Sequence, residues 1–482
     1  MMFLFSILAA LLLGFLTCHF IFKQAKTINI PFLVNLSFPA GLGLSSVIFI
    51  FFNLLGFSSF LIFLIEIALV IILILKIKKI IQPSPALNKG NGTNKIVYQF
   101  GWPGTNKLIS NPILLLAALL YFYSWFMAAG IFIFDSIQSP HGLWDAWSCW
   151  NLVSKIICRA PHDWPHLFHQ MNSADFHPDY PLLQRGFIAR SWLLMGSESV
   201  WIPIVSSFIF TFCTIGLLSS SVSFFSSKTD GLIAGLVMLC TPFFMIMGDS
   251  QYADNTVGYF YLATIVLLTF ARKGPSIKPH LLIAAGVTAG FSAWSKNEGL
   301  LFIVCLFSSQ LTLLFFKNYR ELLTELKYLF LGMLPILLLL AYFKFAIAPH
   351  NEIVSSFGES TLSKLTNPAR YLQAWNWFTL QFGTFGKWEF NPWWLFLAGI
   401  LFKGIYIKDN SYSFISNFTL LLLMLIGFFF VEIMTPYGLR YYLQTSVHRL
   451  FFQLFPSFIF VYFLAINGKK PILKIDASVR KK

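Results

Sequence analysis

Charge is what this sequence has least of. Asp, Glu, Lys and Arg make up 11% of its 482 residues, against about 25% in a soluble domain. Hydrophobic residues make up 57%, and mean hydropathy is +0.71. These values exclude an ordinary soluble enzyme and imply a chain that crosses a membrane many times. The first apolar run, MMFLFSILAALLLGFLTCHFIF, has no basic segment ahead of it, so it is expected to span rather than to be cleaved as a leader. Cysteine is sparse as well. The six positions, 18, 149, 158, 213, 240 and 305, show no metal or redox spacing. Four fall in apolar runs, where Cys acts as a small hydrophobe. Cys149 and Cys158 share a loop, but no CxxC-type pattern favours a disulfide between them. No internal repeat is visible, which weighs against transporters built from repeated halves.

What remains is apolar chain cut into segments. About thirteen runs approach the ~20 residues needed to cross a bilayer: 2–22, 29–52, 57–75, 112–134, 200–224, 231–247, 256–271, 279–294, 299–316, 328–347, 393–407, 413–433 and 450–467. The fold class is therefore an all-α polytopic membrane protein of about thirteen transmembrane helices. Residues 1–80 hold three N-terminal helices. The Pro-, Gly-, Asn- and Lys-rich stretch 81–111 reads as a cytoplasmic linker, 112–467 as a ten-helix body, and 468–482 as a basic cytoplasmic tail.

A net charge of +15 would suggest nucleic acid in a soluble protein. In a membrane chain it instead reports orientation, because Lys and Arg beside membrane segments stay on the cytoplasmic side. With the N-terminus outside, 23 of the 34 basic residues fall in cytoplasmic stretches, and the other side holds 13 of the 19 acidic ones. The long loop 135–199, GDSQYADN (248–255), SKNEG (295–299), the loop 348–392 and PYGLRYYLQTSVHR (436–449) then all meet one non-cytoplasmic surface. This is the layout expected of a membrane-embedded site that opens away from the cytoplasm. A bacterial inner membrane facing the periplasm fits it best. The partners implied are membrane lipids, with no nucleic acid.

The polar clusters name the candidates. In WDAWSCWNLVSKIICR (144–159), read as a helix starting near Asp145, Trp147, Asn151, Lys155 and Arg159 fall four apart on one strip, and Trp150, Val153 and Ile157 form the apolar side. Interfacial tryptophans and cations suit a helix lying in the headgroup plane. Simple anchoring accounts for them, but not for the acid at Asp145. The two prolines of HPDYPLL (177–183) forbid a continuous helix. That turn offers His177, Asp179 and Tyr180 to a shared cavity, or is a bare kink. Asp254 and Glu298 each open a helix, where the dipole alone favours an acid. His162, His166 and His169 have helical spacing, yet Pro165 breaks the face. A divalent metal is accordingly the weaker expectation, and no cofactor is assigned.

In their order along the chain, WDAW…WN, HPDYPLL, QYADN, KNEG and the late TSVHR resemble the GT-C superfamily of membrane glycosyltransferases. That superfamily includes protein O-mannosyltransferases and the lipid A aminoarabinose transferase. The same motifs are similar to those of uncharacterised bacterial GT-C-like proteins. The resemblance covers about 112–467 and departs from the O-mannosyltransferases in lacking an Asp-Glu pair in the first loop. It implies a GT-C-type core with juxtamembrane helices in the first large external loop, and a polyprenyl-phosphate-linked sugar as donor.

The residues suit that chemistry independently. Inverting transfer from a lipid phosphate needs one general base, and Asp145 is the first choice, with Asp254 as the second acid. The leaving phosphate needs fixed cations. Lys155, Arg159, Lys296, Arg440 and Arg449 are the candidates, Arg being able to grip phosphate with two N–H groups. Lipid headgroup contact is the plain alternative for each. Trp144, Asn151, His177, Asp179, Tyr180, Asn297 and Glu298 are the expected substrate-binding set. The acceptor stays open. A transporter or flippase for a lipid-linked sugar would share the cations but need no base, and a membrane scaffold would need neither.

Overall fold

The computed structural model describes residues 2–22, 27–81, 97–99, 110–171, 176–273, 278–315, 318–350, 359–388, 393–407 and 411–466. All thirteen apolar runs form helices, and shorter ones join them. In chain order these are α1 (Met2–Phe22), α2 (Ile30–Leu54), α3 (Ser59–Ile81), α4 (Pro112–Gln138), α5 (Asn151–Arg159), α6 (Trp164–Gln170), α7 (Leu183–Met195), α8 (Trp201–Phe225), α9 (Lys228–Leu239) and α10 (Pro242–Asp249). They continue with α11 (Ala253–Ala271), α12 (Pro279–Ser295), α13 (Glu298–Leu311), α14 (Tyr319–Tyr342), α15 (Glu359–Leu365), α16 (Pro368–Thr384), α17 (Trp393–Lys403), α18 (Ser411–Met434) and α19 (Leu439–Ala465). The departure from an all-helical chain is one parallel pairing of three residues, Thr27–Asn29 with Val97–Gln99.

Among the described residues, nine helices are long and apolar enough to cross a membrane, or ten with α9 and α10 taken as one span bent by 67°. The bend falls at Cys240 and Thr241, ahead of Pro242, which starts α10 with the N–H that its ring removes already surplus. The remaining apolar runs form α11, α12 and the 11-residue α17. α11 is almost wholly buried, so its neighbours, not lipid, surround it.

Local chemistry sets the starts. Asn29 and Asn111 each accept a backbone N–H of the first turn of α2 and α4, each with Pro at the opening. Small residues set how closely helices cross. A Cβ on Gly14 would stand 2.1 Å from the Ser37 carbonyl oxygen, and one on Gly286 would stand 2.1 Å from that of Leu329. α1 and α2, and α12 and α14, thus touch backbone to backbone.

The three N-terminal helices pack into the body. Tyr259 of α11 donates its hydroxyl to the Asn35 carbonyl oxygen (2.8 Å), and Trp164 Nε1 donates to Asn53 Oδ1 (2.7 Å). Arg190 of α7 meets Glu66 of α3 in a buried ion pair and also donates to the Ser6 carbonyl oxygen (3.1 Å). At the end opposite the site described next, Arg272 ties Glu325, Gln310 and Ser416 together.

Two sequence expectations change. The polar stretch 436–449 is not a loop, since α19 begins at Leu439 and its first turns carry these side chains. HPDYPLL does not lead straight into 200–224. It leads into α7, whose Arg185 and Arg190 are fully buried.

Candidate active site

The segment 144–159 is helical, but Ala146–Trp150 form a π turn that admits one extra residue. This corrects the expected four-residue strip. Trp147 stays exposed, while Asn151 turns inward to donate to Gln251 Oε1 (2.8 Å). Trp150, Val153 and Ile157 are buried as the apolar side. Asp145 caps the π turn, and its backbone N–H donates to the Tyr252 hydroxyl (3.1 Å). Gln251 holds φ +63, a conformation that non-glycine residues seldom adopt, and this turns Tyr252 toward Asp145.

The centre is an ionic cluster. Arg449 Nη1 donates to Asp145 Oδ2 (2.6 Å), and Arg449 Nη2 and Nε donate to Asp254 Oδ2 (2.6 and 3.3 Å). Asp254 Oδ1 accepts from Lys296 Nζ (3.0 Å) and Gln453 Nε2 (2.8 Å). Lys296 also pairs with Glu298 Oε1 (2.6 Å). The Arg449 guanidinium lies 4.7 Å from the centroid of the Tyr252 ring. Asp254 is fully buried, whereas the Asp145 side chain is 33% exposed. Burial would lower the Lys296 pKa, but the Asp254 and Glu298 carboxylates outweigh it and hold it above the ordinary lysine value. Burial raises the Tyr252 phenol to about 12, with the Asp145 charge adding to the effect.

A second network adjoins the first through the 295–299 turn. Asp179 Oδ2 accepts from Asn297 Nδ2 (2.9 Å), and Lys344 donates to Asn297 Oδ1 (2.7 Å) and to the Asp179 carbonyl oxygen. His177, at φ +46, stacks on Tyr180 with centroids 4.8 Å apart, and Tyr180 stacks on Trp150 at 5.5 Å. Arg185 donates to the His177 and Tyr180 carbonyl oxygens, each at 3.0 Å, and to Cys149 Sγ (2.9 Å). Cys149 and Cys158 are both free thiols.

The candidates thus divide. Asp145, Asp254, Lys296, Glu298 and Arg449 meet in the ionic cluster, and Asn297, Asp179, Tyr180 and His177 extend it. Lys155 and Arg159 do not join. Glu198 takes the Arg159 guanidinium on both oxygens (2.6 and 2.8 Å) and lies 4.0 Å from Lys155. Arg440 is exposed on the first turn of α19, and Trp144 is exposed against Trp147. On α6, His166 hydrogen-bonds Gln170 (3.0 Å). Sequence reasoning missed Tyr252, Gln453, Lys344, Arg185 and Glu198. Gln453 and Lys344 did leave a signal, as single polar residues inside apolar runs.

Residues 179–343 match the family model for dolichyl-phosphate-mannose-protein mannosyltransferases. The match takes in 165 of the 482 residues and agrees with the GT-C resemblance. It includes Asp179, Arg185, Asp254, Lys296 and Glu298, and ends one residue before Lys344. Asp145 and Arg449 lie on either side of it. No curated protein and no solved structure matches the chain. Together, the apolar helices and the match support a multi-pass membrane glycosyltransferase of the GT-C type.

Proposed function

We propose that the protein moves a sugar from a polyprenyl-phosphate carrier to an acceptor on the non-cytoplasmic face, with inversion and with Asp145 as general base. The observation that carries this reading is the unequal use of the two aspartates. Asp254 is buried, and both its oxygens are taken by Lys296, Arg449 and Gln453. It holds cations in place and has no oxygen to spare for a proton. Asp145 gives Oδ2 to Arg449 and is one-third exposed, so Oδ1 can meet an acceptor hydroxyl.

In the proposed reaction the acceptor O–H gives its proton to Asp145 Oδ1 as its oxygen attacks the anomeric carbon. The bond from that carbon to the phosphate oxygen breaks, and the electron pair leaves with polyprenyl phosphate. The developing charge needs donors rather than an acid. An arginine has five N–H donors and a lysine three. Arg449 spends three on the aspartates and Lys296 spends two on carboxylates. Two donors on Arg449 and one on Lys296 therefore remain for the phosphate. Asp179, Tyr180, Asn297 and Glu298 line the approach of sugar or acceptor. The positive-inside bias supports the assignment of the face.

The test is release of polyprenyl phosphate by the purified protein from a panel of polyprenyl-phosphate sugars, with wild type beside Asp145→Asn. Loss of a general base costs about 10²–10⁴-fold in rate, so the variant is expected to bind donor but turn over in that reduced range. Saturable binding without release in either protein would replace the enzyme by the flippase.

A further inference from the structure

The ionic cluster is short of positive charge. Among the described residues, Asp145, Asp254 and Glu298 pair with only Arg449 and Lys296 within it, and Lys344 of the adjoining network is held by Asp179 and Asn297. A phosphate is repelled by such an imbalance unless another cation stands nearby. On a neighbouring face of α19 lies a cavity of about 460 Å³ lined by Phe243, Gln381, Thr384, Gly386, Lys387 and His448. His448 directly precedes Arg449, so the two side chains leave one turn of α19 about 100° apart. Arg449 reaches the aspartates, while His448 turns into the cavity and meets the Phe243 ring edge-on at 5.4 Å.

The chain is bent to bring a cation to the same place. After α16 it passes through Gly386 at φ +90 and Lys387 at φ +54. At Gly386 a Cβ would stand 2.5 Å from the Trp388 indole and 3.1 Å from Thr241. A lysine in the left-handed region is disfavoured by about 1–2 kcal/mol, and such strain gathers at functional sites. The result sets the Lys387 ammonium 5.7 Å from the centroid of the Phe243 ring. Among the described residues no carboxylate pairs with Lys387, whereas Arg449 and Lys296 each hold two. Beyond the rim, Leu372, Trp375 and Leu380 of α16 and Trp394 and Leu397 of α17 are exposed and apolar. An ammonium with no carboxylate partner among the described residues, an imidazole, a hydroxyl and an amide thus sit at the end of a greasy approach. That combination fits the phosphate ester of a long apolar alcohol.

We propose that this cavity seats the phosphate of the polyprenyl carrier, with Lys387 and His448 on its oxygens and the chain along the exposed faces of α16 and α17. The proposal rests on the glycosyltransferase reading above and gives it a direction. The lipid enters past α16 and α17, the phosphate faces Lys387 and His448 on one side and the remaining Arg449 donors on the other, and the sugar points to Asp145.

The experiment measures binding of decaprenyl phosphate, decaprenol and inorganic phosphate to the full-length protein in nanodiscs. Wild type is compared with Lys387→Asn, Lys387→Met and Lys387→Arg. Asn tolerates the left-handed backbone, so Lys387→Asn removes the charge without adding strain. Decaprenyl phosphate is expected to bind on the order of tenfold more weakly to the Asn and Met variants, as for loss of one charge-assisted contact. Lys387→Arg is expected to keep the affinity, and decaprenol is expected to bind all four proteins alike. Equal decaprenyl phosphate affinity in wild type and Lys387→Asn overturns the proposal, as does equal loss for decaprenol or no binding to wild type. Inorganic phosphate binding as tightly and with the same Lys387 dependence would assign the cavity to a free phosphate instead. Because binding is read without turnover, the two ideas fail separately. Sugar transfer lost in Asp145→Asn, with lipid affinity untouched by Lys387→Asn, would keep the enzyme and remove this cavity from it.

Discussion

Asp145 and Asp254 share one arginine, and their different burial sets different costs for removing them. Asp254→Asn leaves Arg449 and Lys296 without their buried counter-charge, and breaking a buried pair from one side costs about 3–5 kcal/mol. Asp145 is one-third exposed, so water takes over part of its pairing and its removal is expected to cost less than that. Thermal melting in detergent is therefore expected to drop strongly for Asp254→Asn and less for Asp145→Asn, while transfer is lost in both. A large destabilisation by Asp145→Asn would make it a structural group and remove it as the base. At this scale the sequence exposed the acids and cations as rare charges among oil. It hid who holds whom. Glu198, an ordinary loop acid by its neighbours, takes Lys155 and Arg159 away from the cluster, because pairing depends on distances that spacing along one helix does not contain.

The helix that carries Asp145 works through its irregular turn. A π turn holds one residue more than an α-helical turn, and one residue of helix is about 100° of rotation. Deleting Ser148 is expected to convert Ala146–Trp150 to regular helix. Asp145 and Asn151 can then no longer both keep their present partners, Arg449 and Gln251. Loss of transfer with a retained melting transition is the expected result, and full activity would show that the turn is incidental. The far end of the same segment responds to pH. The hydrogen bonds from Arg159 hold the Glu198 pKa below 4.5, with the Arg159 and Lys155 charges adding to them and partial burial opposing. A depressed carboxyl stabilises the fold above its unfolded value, and that contribution is lost as pH falls through the lower folded value. Proteolysis within 160–171 is expected to be flat around neutrality and to rise only below 4.5. Glu198→Gln should abolish that rise. The helices themselves were legible, since all thirteen apolar runs became helices. The π turn was not, because hydrophobic periodicity averages over an inserted residue, and α7 was masked by two buried arginines that make it read as loop.

For the whole molecule, two ionic knots matter besides the cluster. Arg272 with Glu325, Gln310 and Ser416 fastens α11, α13, α14 and α18 at one end, while Arg190 with Glu66 and Ser6 fastens α7 to α1 and α3. Glu66→Leu and Arg190→Leu alone are each expected to destabilise the protein by about 3–5 kcal/mol, and the two together to recover most of that loss. Detergent denaturation of the four proteins would check it, and additive losses would exclude coupling. The helical layout was readable because lipid imposes run length on any chain that crosses it. The embedding of the first three helices was not, because apolar surfaces that face protein and lipid are composed alike. Their anchoring also has a consequence in time. Glu66 is made 124 residues before Arg190, an interval on the order of 6–25 s at ordinary ribosome speeds. Throughout it α3 carries an acid whose counter-charge has not been synthesised. The nascent chain must wait half-assembled beside its insertion machinery, so slowing elongation between these two codons should increase its degradation.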